Sequence, residues 1–209
     1  MFISVLGASP YFAAAAGQDK PEGAIHAEWP EMDFTAAYDD FTKGDFAAAS
    51  QEIKKGSDFL KAASKRSEGK IKKDLLRSYS ELKKLSVDIE KGAVKSSARL
   101  RKVFSRAHQA LAEYYHARLK NSWLKKDTER AAKELNSTAS NLERGISWAG
   151  GAVEEKTKKV ITEARSLGKR LAKKAQWSAE EVEKRIKEFG EELKKLEDKV
   201  VQGQKGNTE

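Results

Sequence analysis

Residues 123–142 read WLKKDTERAAKELNSTASNL and combine an aromatic residue, an aspartate in a helix-starting position and apolar residues at helical spacing. The stretch FTKGDFAAASQEIKKGSDFL at residues 41–60 matches it at a constant offset of 82. The matched pairs are Phe41 with Trp123, Lys43 with Lys125, Asp45 with Asp127, Ala49 with Ala131, Glu52 with Glu134, Ile53 with Leu135 and Leu60 with Leu142. We expect the two stretches to be copies of one structural unit.

The chain has the pattern of an all-α protein. Its three prolines lie at or before position 30, so the remaining 179 residues lack the strongest helix breaker. Apolar residues recur at spacings of three, four or seven, which places them on one stripe of a helix. The two clearest stripes are Ile71, Leu75, Leu82, Leu85 and Ile89, and Val182, Ile186, Phe189, Leu193, Leu196 and Val200. We predict helices at 33–43, 46–64, 68–91, 94–125, 128–148, 152–176 and 179–200.

Such stripes pack against other helices at shallow angles. We therefore predict an elongated helical bundle of about six or seven helices, with an internally duplicated helical hairpin and a long C-terminal coiled-coil-like segment. The predicted organisation is a helical bundle at 33–150, C-terminal amphipathic helices at 151–202 and a disordered tail at 203–209.

The predicted helix boundaries carry recognisable end signals. Asp45 and Asp127 each follow a turn and are placed to cap the next helix by accepting backbone N–H bonds. Ser178 and Glu181 form the capping-box pattern of the last helix, directly after Trp177. Trp177 is either a staple across that corner or an exposed anchor for a partner, and the sequence leaves both interpretations open.

The repeated stretches resemble tetratricopeptide-type helical hairpins, in which a short turn joins an aromatic-bearing helix to an alanine-rich one. The chain also resembles exported all-helical stress proteins of the YfdX kind. What either resemblance implies is binding to a partner, with no chemistry attached. A tetratricopeptide stack needs at least about three adjacent units, and some 60 residues separate the two units here. We therefore expect a bundle with an internal duplication.

The N-terminal segment has the composition of an export signal. It carries no charge before Asp19, and its apolar run ends in an alanine tract. This pattern predicts a signal peptide at 1–16 and a polar leader at 17–32. We expect a periplasmic or otherwise exported protein, with a cytoplasmic protein that carries an apolar tail as the alternative. No later stretch approaches the roughly 18 uninterrupted apolar residues of a transmembrane span.

Charge is unevenly distributed along the chain. Residues 19–58 hold ten acidic and four basic side chains, a net charge of −6, whereas residues 61–106 hold fifteen basic and five acidic ones, a net charge of +10. The candidate face for an anionic partner consists of Lys65, Arg66, Lys72, Lys73, Lys83, Lys84, Arg99 and Arg101. Lipid headgroups or an envelope polymer fit such a face, whereas nucleic acid is not expected because few side chains suit base contact. The alternative is that the acidic first hairpin packs beside these helices and the charges only keep the surface solvated.

The sequence offers no set of residues for catalysis. The absence of cysteine excludes thiol catalysis, cysteine-ligated metals and covalent haem attachment. Glu113 and His116 have the spacing by which helical bundles present ligands to a di-iron centre. Such a centre needs two of these motifs, and the chain has one. We predict no metal site and no cofactor, and we expect His108 and His116 to lie at surface or boundary positions.

These observations favour a non-enzymatic, exported helical-bundle protein that acts as an interaction or stress-protective module. The alternative is a basic amphipathic protein that associates with an anionic membrane or envelope polymer. A metal-binding helical bundle built on Glu113 and His116 is the third and weakest hypothesis. The apolar stripe of the C-terminal helices also makes a homo-oligomer through those helices a hypothesis.

Overall fold

The computed structural model describes the backbone of residues 34–205 and the side chains of residues 34–200. Within that range the chain forms seven α-helices and no strand. The helices are α1 Thr35–Lys43, α2 Phe46–Ser64, α3 Gly69–Glu90, α4 Ser97–Leu124, α5 Thr128–Trp148, α6 Glu155–Ala172 and α7 Ala179–Lys205. None of these seven helices has the length and hydropathy that a membrane span requires. The predicted all-α helical bundle is confirmed for this part of the chain.

The predicted helix bounds agree best where the sequence carries a clear end signal. α2 and α5 have the predicted bounds. α6 ends earlier than predicted, at Ala172, because Lys174 adopts a left-handed conformation with φ of 52° and stops the helix. α7 continues to Lys205, three residues into the segment predicted to be a disordered tail. The predicted signal peptide, the polar leader and residues 206–209 lie outside the described residues.

The two repeated stretches turn their corners in the same way. Asp45 accepts a hydrogen bond from the Ala48 N–H at 3.0 Å, and Asp127 accepts one from the Arg130 N–H at 3.0 Å. The backbone angles are φ −81° and ψ 76° at Asp45, and φ −84° and ψ 81° at Asp127. The predicted aspartate caps are therefore present at both the α1–α2 and the α4–α5 corner.

Burial also follows one pattern in the two copies. The fully buried positions are Ala49, Ile53 and Leu60 in α2 and their partners Ala131, Leu135 and Leu142 in α5. Phe41 and Trp123 are both only half-buried, so neither is a deep core residue. A common origin of the two hairpins stays a prediction, which the equal corners and the equal burial of these three pairs support.

Helix α4 is the centre of the described bundle. It packs against α1, α2, α3, α5 and α7, and α5 packs in turn against α6 and α7. The predicted stripes are buried at Leu75, Leu82, Leu85 and Ile89 in α3 and at Val182, Phe189, Leu193 and Leu196 in α7. The C-terminal segment is divided at residues 173–178 into two helices that both contact α5. Four of the six residues of the α7 stripe, on which the homo-oligomer hypothesis rests, are thus buried against helices of the same chain, and Ile186 and Val200 are partly buried.

Candidate binding groove

The eight basic residues predicted as an anionic-partner face are all exposed. They are Lys65, Arg66, Lys72, Lys73, Lys83, Lys84, Arg99 and Arg101. Four lysines of this set lie on α3 and occur as two adjacent pairs, 72–73 and 83–84, that are 11 residues apart. Eleven residues make about three helical turns, so both pairs point the same way. The structure therefore brings these four lysines together on one side of α3, which we call the α3 lysine face.

Two exposed aliphatic side chains share the α3 lysine face. Leu76 is 38% exposed and Val87 is 37% exposed. They are also 11 residues apart, so they point in one direction. Lys84 forms an ion pair with Asp88 at 3.1 Å, whereas no ion pair within the described residues involves the other three lysines. The face thus combines ammonium groups with a narrow apolar strip.

Arg99 and Arg101 border a different surface. Both line a groove of about 590 Å³ beside Trp148. Arg99 also pairs with Asp88, the same carboxylate that binds Lys84. The hydrogen bond from Arg99, followed by that from Lys84, lowers the pKa of Asp88. The predicted face is therefore divided among the α2–α3 connection, which holds Lys65 and Arg66, helix α3, and the start of α4.

Glu113 and His116 direct their side chains to different partners. Glu113 accepts hydrogen bonds from Lys70 at 3.1 Å and from Gln109 at 3.0 Å. His116 Nε2 lies 2.7 Å from the carbonyl oxygen of Ile186 and donates to it. Across residues 34–200, no group of three or more His, Cys, Asp or Glu side chains is placed to hold a metal ion. The two residues thus tie α4 to α3 and to α7.

The expectation of surface or boundary histidines is wrong for α4. His108 has no exposed area and His116 is 7% exposed. The reason is that five helices pack around α4, so side chains that point in different directions from it all meet a neighbour. His108 Nδ1 lies 2.9 Å from Asn141 Oδ1. Burial lowers the pKa of His116, against the hydrogen bond to the Ile186 carbonyl and with a smaller contribution from the charge of Lys120.

A groove of about 980 Å³ opens where the α4–α5 corner meets the start of α7. Its apolar lining consists of Trp123, Leu124, Trp177, Ala179, Ile186 and Gly190. The two indole rings contact each other edge to face, with their centroids 5.7 Å apart. Leu124 is 81% exposed, so a large aliphatic side chain lies in solvent at the edge of the groove. We call this site the tryptophan groove.

Trp177 is held in place by the cap of α7. The Ser178 N–H donates to Glu181, and the Glu181 N–H donates back to Ser178 Oγ, which is the predicted capping box. Arg170 binds the same Glu181 carboxylate and also the carbonyl oxygen of the residue before Trp177. Trp177 packs against Trp123 at the end of α4 and also lines the groove, so its side chain is partly buried and partly available to a partner.

Charged side chains surround the tryptophan groove. They are Lys120, Lys126, Lys187 and Glu183. None of these four takes part in an ion pair within the part of the chain that the structure describes. Three ammonium groups against one carboxylate leave the rim with a net positive charge. An apolar lining with a positive rim fits a partner that has an apolar surface and negative charge.

None of the groove residues is assigned to a site by the sequence. The one signal in the sequence that could have indicated the groove is Trp177, an aromatic residue beside a helix break. Trp123 gives no such signal, because its helical spacing is typical of a core residue. The groove combines residues 120–128 with residues 177–190, and only the packing of α7 across the α4–α5 corner brings them together.

No protein-family model, curated protein or solved structure matches this chain. The resemblances to tetratricopeptide-type hairpins and to YfdX-like proteins therefore stay predictions. The geometry of the tryptophan groove is the basis for a functional proposal.

Proposed function

We propose that this chain is a non-enzymatic binding protein, an interaction or stress-protective module that receives its partner in the tryptophan groove. The observation that carries the proposal is Leu124, which is 81% exposed beside two indole rings. Full burial of a leucine side chain is worth about 1.5–3 kcal/mol, so a partner that covers it gains that stabilisation. Contiguous apolar patches with polar rims mark interaction sites, and tryptophan is enriched among the residues that dominate binding energy.

A photocrosslinking experiment tests this proposal. Benzoylphenylalanine is placed at position 124 and, as a matched control, at position 76, since Leu76 is also exposed but lies outside the groove. The proposal expects an adduct, protein or small molecule, that forms at 124 in cells of the source organism and not at 76. The adduct should disappear when Trp177→Ala is added. Equal labelling at both positions, or none at 124, contradicts a binding role for the groove.

We further propose export to the periplasm or beyond, on the basis of the uncharged apolar segment at 1–16. N-terminal sequencing of the protein recovered from the cell envelope should begin near Gly17. Recovery of intact Met1 from the cytosol contradicts export and favours the cytoplasmic alternative.

A second candidate function is association with an anionic membrane or envelope polymer through the α3 lysine face. It is favoured by the two lysine pairs that share one side of α3 with Leu76 and Val87. Lysines beside aliphatic side chains are typical of surfaces that lie on anionic lipid. This candidate uses a different surface from the tryptophan groove, so each can be removed without touching the other.

A further inference from the structure

The tryptophan groove has the dimensions of a small-molecule site. Its volume of about 980 Å³ lies at the upper end of the roughly 300–1,000 Å³ that ligand pockets occupy. The apolar lining is formed by indole and aliphatic groups, and the charged side chains lie around it. This division suits a ligand that has an apolar body and one charged end.

The charge of the rim selects the sign of that end. Lys120, Lys126 and Lys187 outnumber Glu183 around the groove. Indole faces also attract cations such as quaternary ammonium groups, but the three lysine ammonium groups repel a cation. An anionic group, such as a carboxylate, is therefore the better head group.

Lys126 keeps a backbone conformation that is unfavourable for its residue type. Its φ is 58°, in the left-handed region that strains residues with a side chain. The matching position of the first copy is Gly44, which has a φ of 84° and the freedom to adopt it. A lysine at the strained position places an ammonium group on the groove rim, which a glycine there does not.

The choice of glycine at position 190, in the interior of α7, is also not explained by packing. Glycine weakens the interior of a helix, and a Cβ at Gly190 would lie 3.5 Å from His116 Cε1, an ordinary contact. By contrast, a Cβ at Gly145 would lie 2.9 Å from Leu196, and one at Gly168 would lie 2.6 Å from Asn136. A Cβ at either of those two positions would have to displace a neighbouring side chain. Gly190 is one of the residues that line the groove.

From these observations, and resting on the proposed binding function, we propose that the tryptophan groove binds a free single-chain amphiphile with a carboxylate head, such as a fatty acid. The alkyl chain lies against Trp123, Trp177 and Leu124, and the carboxylate meets the lysines of the rim. A bilayer is a poorer occupant, because a flat surface does not fill a groove.

Calorimetric titration with dodecanoate below its micelle concentration tests this inference. We expect saturable binding at one site per chain. Leu124→Glu places a carboxylate at the edge of the groove and should weaken binding at least about tenfold, since it removes apolar contact and repels the head group. Leu76→Glu, the matched exposed leucine on α3, should leave binding unchanged. Dodecyltrimethylammonium, which has the same chain and the opposite charge, should bind at least about tenfold more weakly than dodecanoate.

A second pair of variants tests the head-group contact. Lys126→Gly retains the turn and removes the ammonium group, and it should weaken dodecanoate binding by about two- to fivefold, the worth of one exposed ion pair. Lys174→Gly makes the same change at the other left-handed lysine, φ 52°, which does not line the groove, and it should have no effect on binding. Circular-dichroism melts of all four variants verify that each is folded.

Three outcomes overturn the inference. No binding of dodecanoate to the wild type, together with a protein adduct at position 124, rejects the ligand class and leaves the binding function standing. Binding that Leu124→Glu does not affect removes the groove from both proposals. Binding to phosphatidylglycerol vesicles that Leu124→Glu abolishes, with no binding of free dodecanoate, assigns the groove to a lipid surface instead.

Discussion

The α1–α2 and α4–α5 corners have the same backbone and different surfaces. Each ends its first helix on a left-handed residue, Gly44 or Lys126, and starts the next on a capping aspartate. In the first corner Phe41 contacts Phe46 of the same corner, with ring centroids 5.6 Å apart. In the second, Trp123 contacts Trp177, which comes from the segment before α7.

The side chains between the aromatic residue and the aspartate account for the difference. Thr42 hydrogen-bonds the backbone of its own helix through its hydroxyl, to the Asp39 carbonyl oxygen at 2.9 Å. Its counterpart Leu124 has no polar group to satisfy and lies exposed in the groove. In the first corner these side chains contact groups of the same corner, whereas the second corner presents an apolar surface with lysines around it. The corner geometry depends on the aspartate cap and the left-handed residue. The other side chains of the corner are therefore free to differ, so the same backbone can form a corner with only internal contacts or a corner that lines a groove.

The largest expected difference between the copies concerns Glu52 and Glu134. Glu134 is fully buried, with Oε1 2.9 Å from Arg118 Nε and 3.6 Å from Arg130 Nε. Glu52 pairs with Lys55 at the surface. Glu134→Ala should therefore lower the free energy of unfolding by about 3–5 kcal/mol, the loss expected when one partner of a buried ion pair is removed. Glu52→Ala should change it by no more than about 0.5 kcal/mol. Urea unfolding of both variants makes the comparison, and equal losses contradict it.

A reciprocal exchange at Gly44 and Lys126 tests whether a left-handed lysine costs the same strain energy in both corners. Gly44→Lys should lower the free energy of unfolding by about 1–2 kcal/mol, the strain of a left-handed residue with a side chain. No atom lies within 4 Å of a Cβ at Gly44, so a clash does not contribute. Lys126→Gly should raise the free energy of unfolding by a similar amount. Chemical denaturation measures both, and a loss of stability in Lys126→Gly contradicts the equivalence of the corners.

The sequence predicts the corners well and the groove poorly, for physical reasons. Helix ends depend on local groups, so the Asp45, Asp127 and Ser178 caps are readable from neighbouring residues. The burial of His108 and His116 depends on how many helices surround α4, which no local pattern records. The groove likewise requires α7 to cross the α4–α5 corner. Exposure of Leu124 is not predictable from its own helix, because it depends on where the neighbouring helices end.

Phe34 and His116 are also separated by the repeat offset of 82, and both are buried. Phe34 cannot titrate, so only His116 of this pair should respond to pH. Burial holds the pKa of His116 below its unfolded value of about 6.5. The unfolded state then binds more protons, so the stability that neutral His116 provides is complete above about pH 6.5 and is lost as the pH falls toward the folded pKa. His116→Gln should flatten the pH dependence of the melting temperature between about pH 5 and 7. Parallel curves for the variant and the wild type contradict this assignment.

The smallest expected effect on stability comes from a variant of the α3 lysine face. The same variant distinguishes the two candidate binding surfaces, the α3 lysine face and the tryptophan groove. Replacing Lys72, Lys73, Lys83 and Lys84 together with glutamine should shift the melting temperature little, because exposed charges contribute at most about 1 kcal/mol each and three of these form no ion pair within the described residues. If an anionic surface is a partner, binding of the wild type to phosphatidylglycerol vesicles should weaken steeply with salt, since charges are screened over about 8 Å at physiological ionic strength. The fourfold variant should then lose vesicle binding while it retains binding of dodecanoate in the tryptophan groove.

Unchanged vesicle binding in the fourfold variant removes the α3 lysine face as a partner site. A large loss of stability instead supports the alternative that the acidic first hairpin and these lysines stabilise one another.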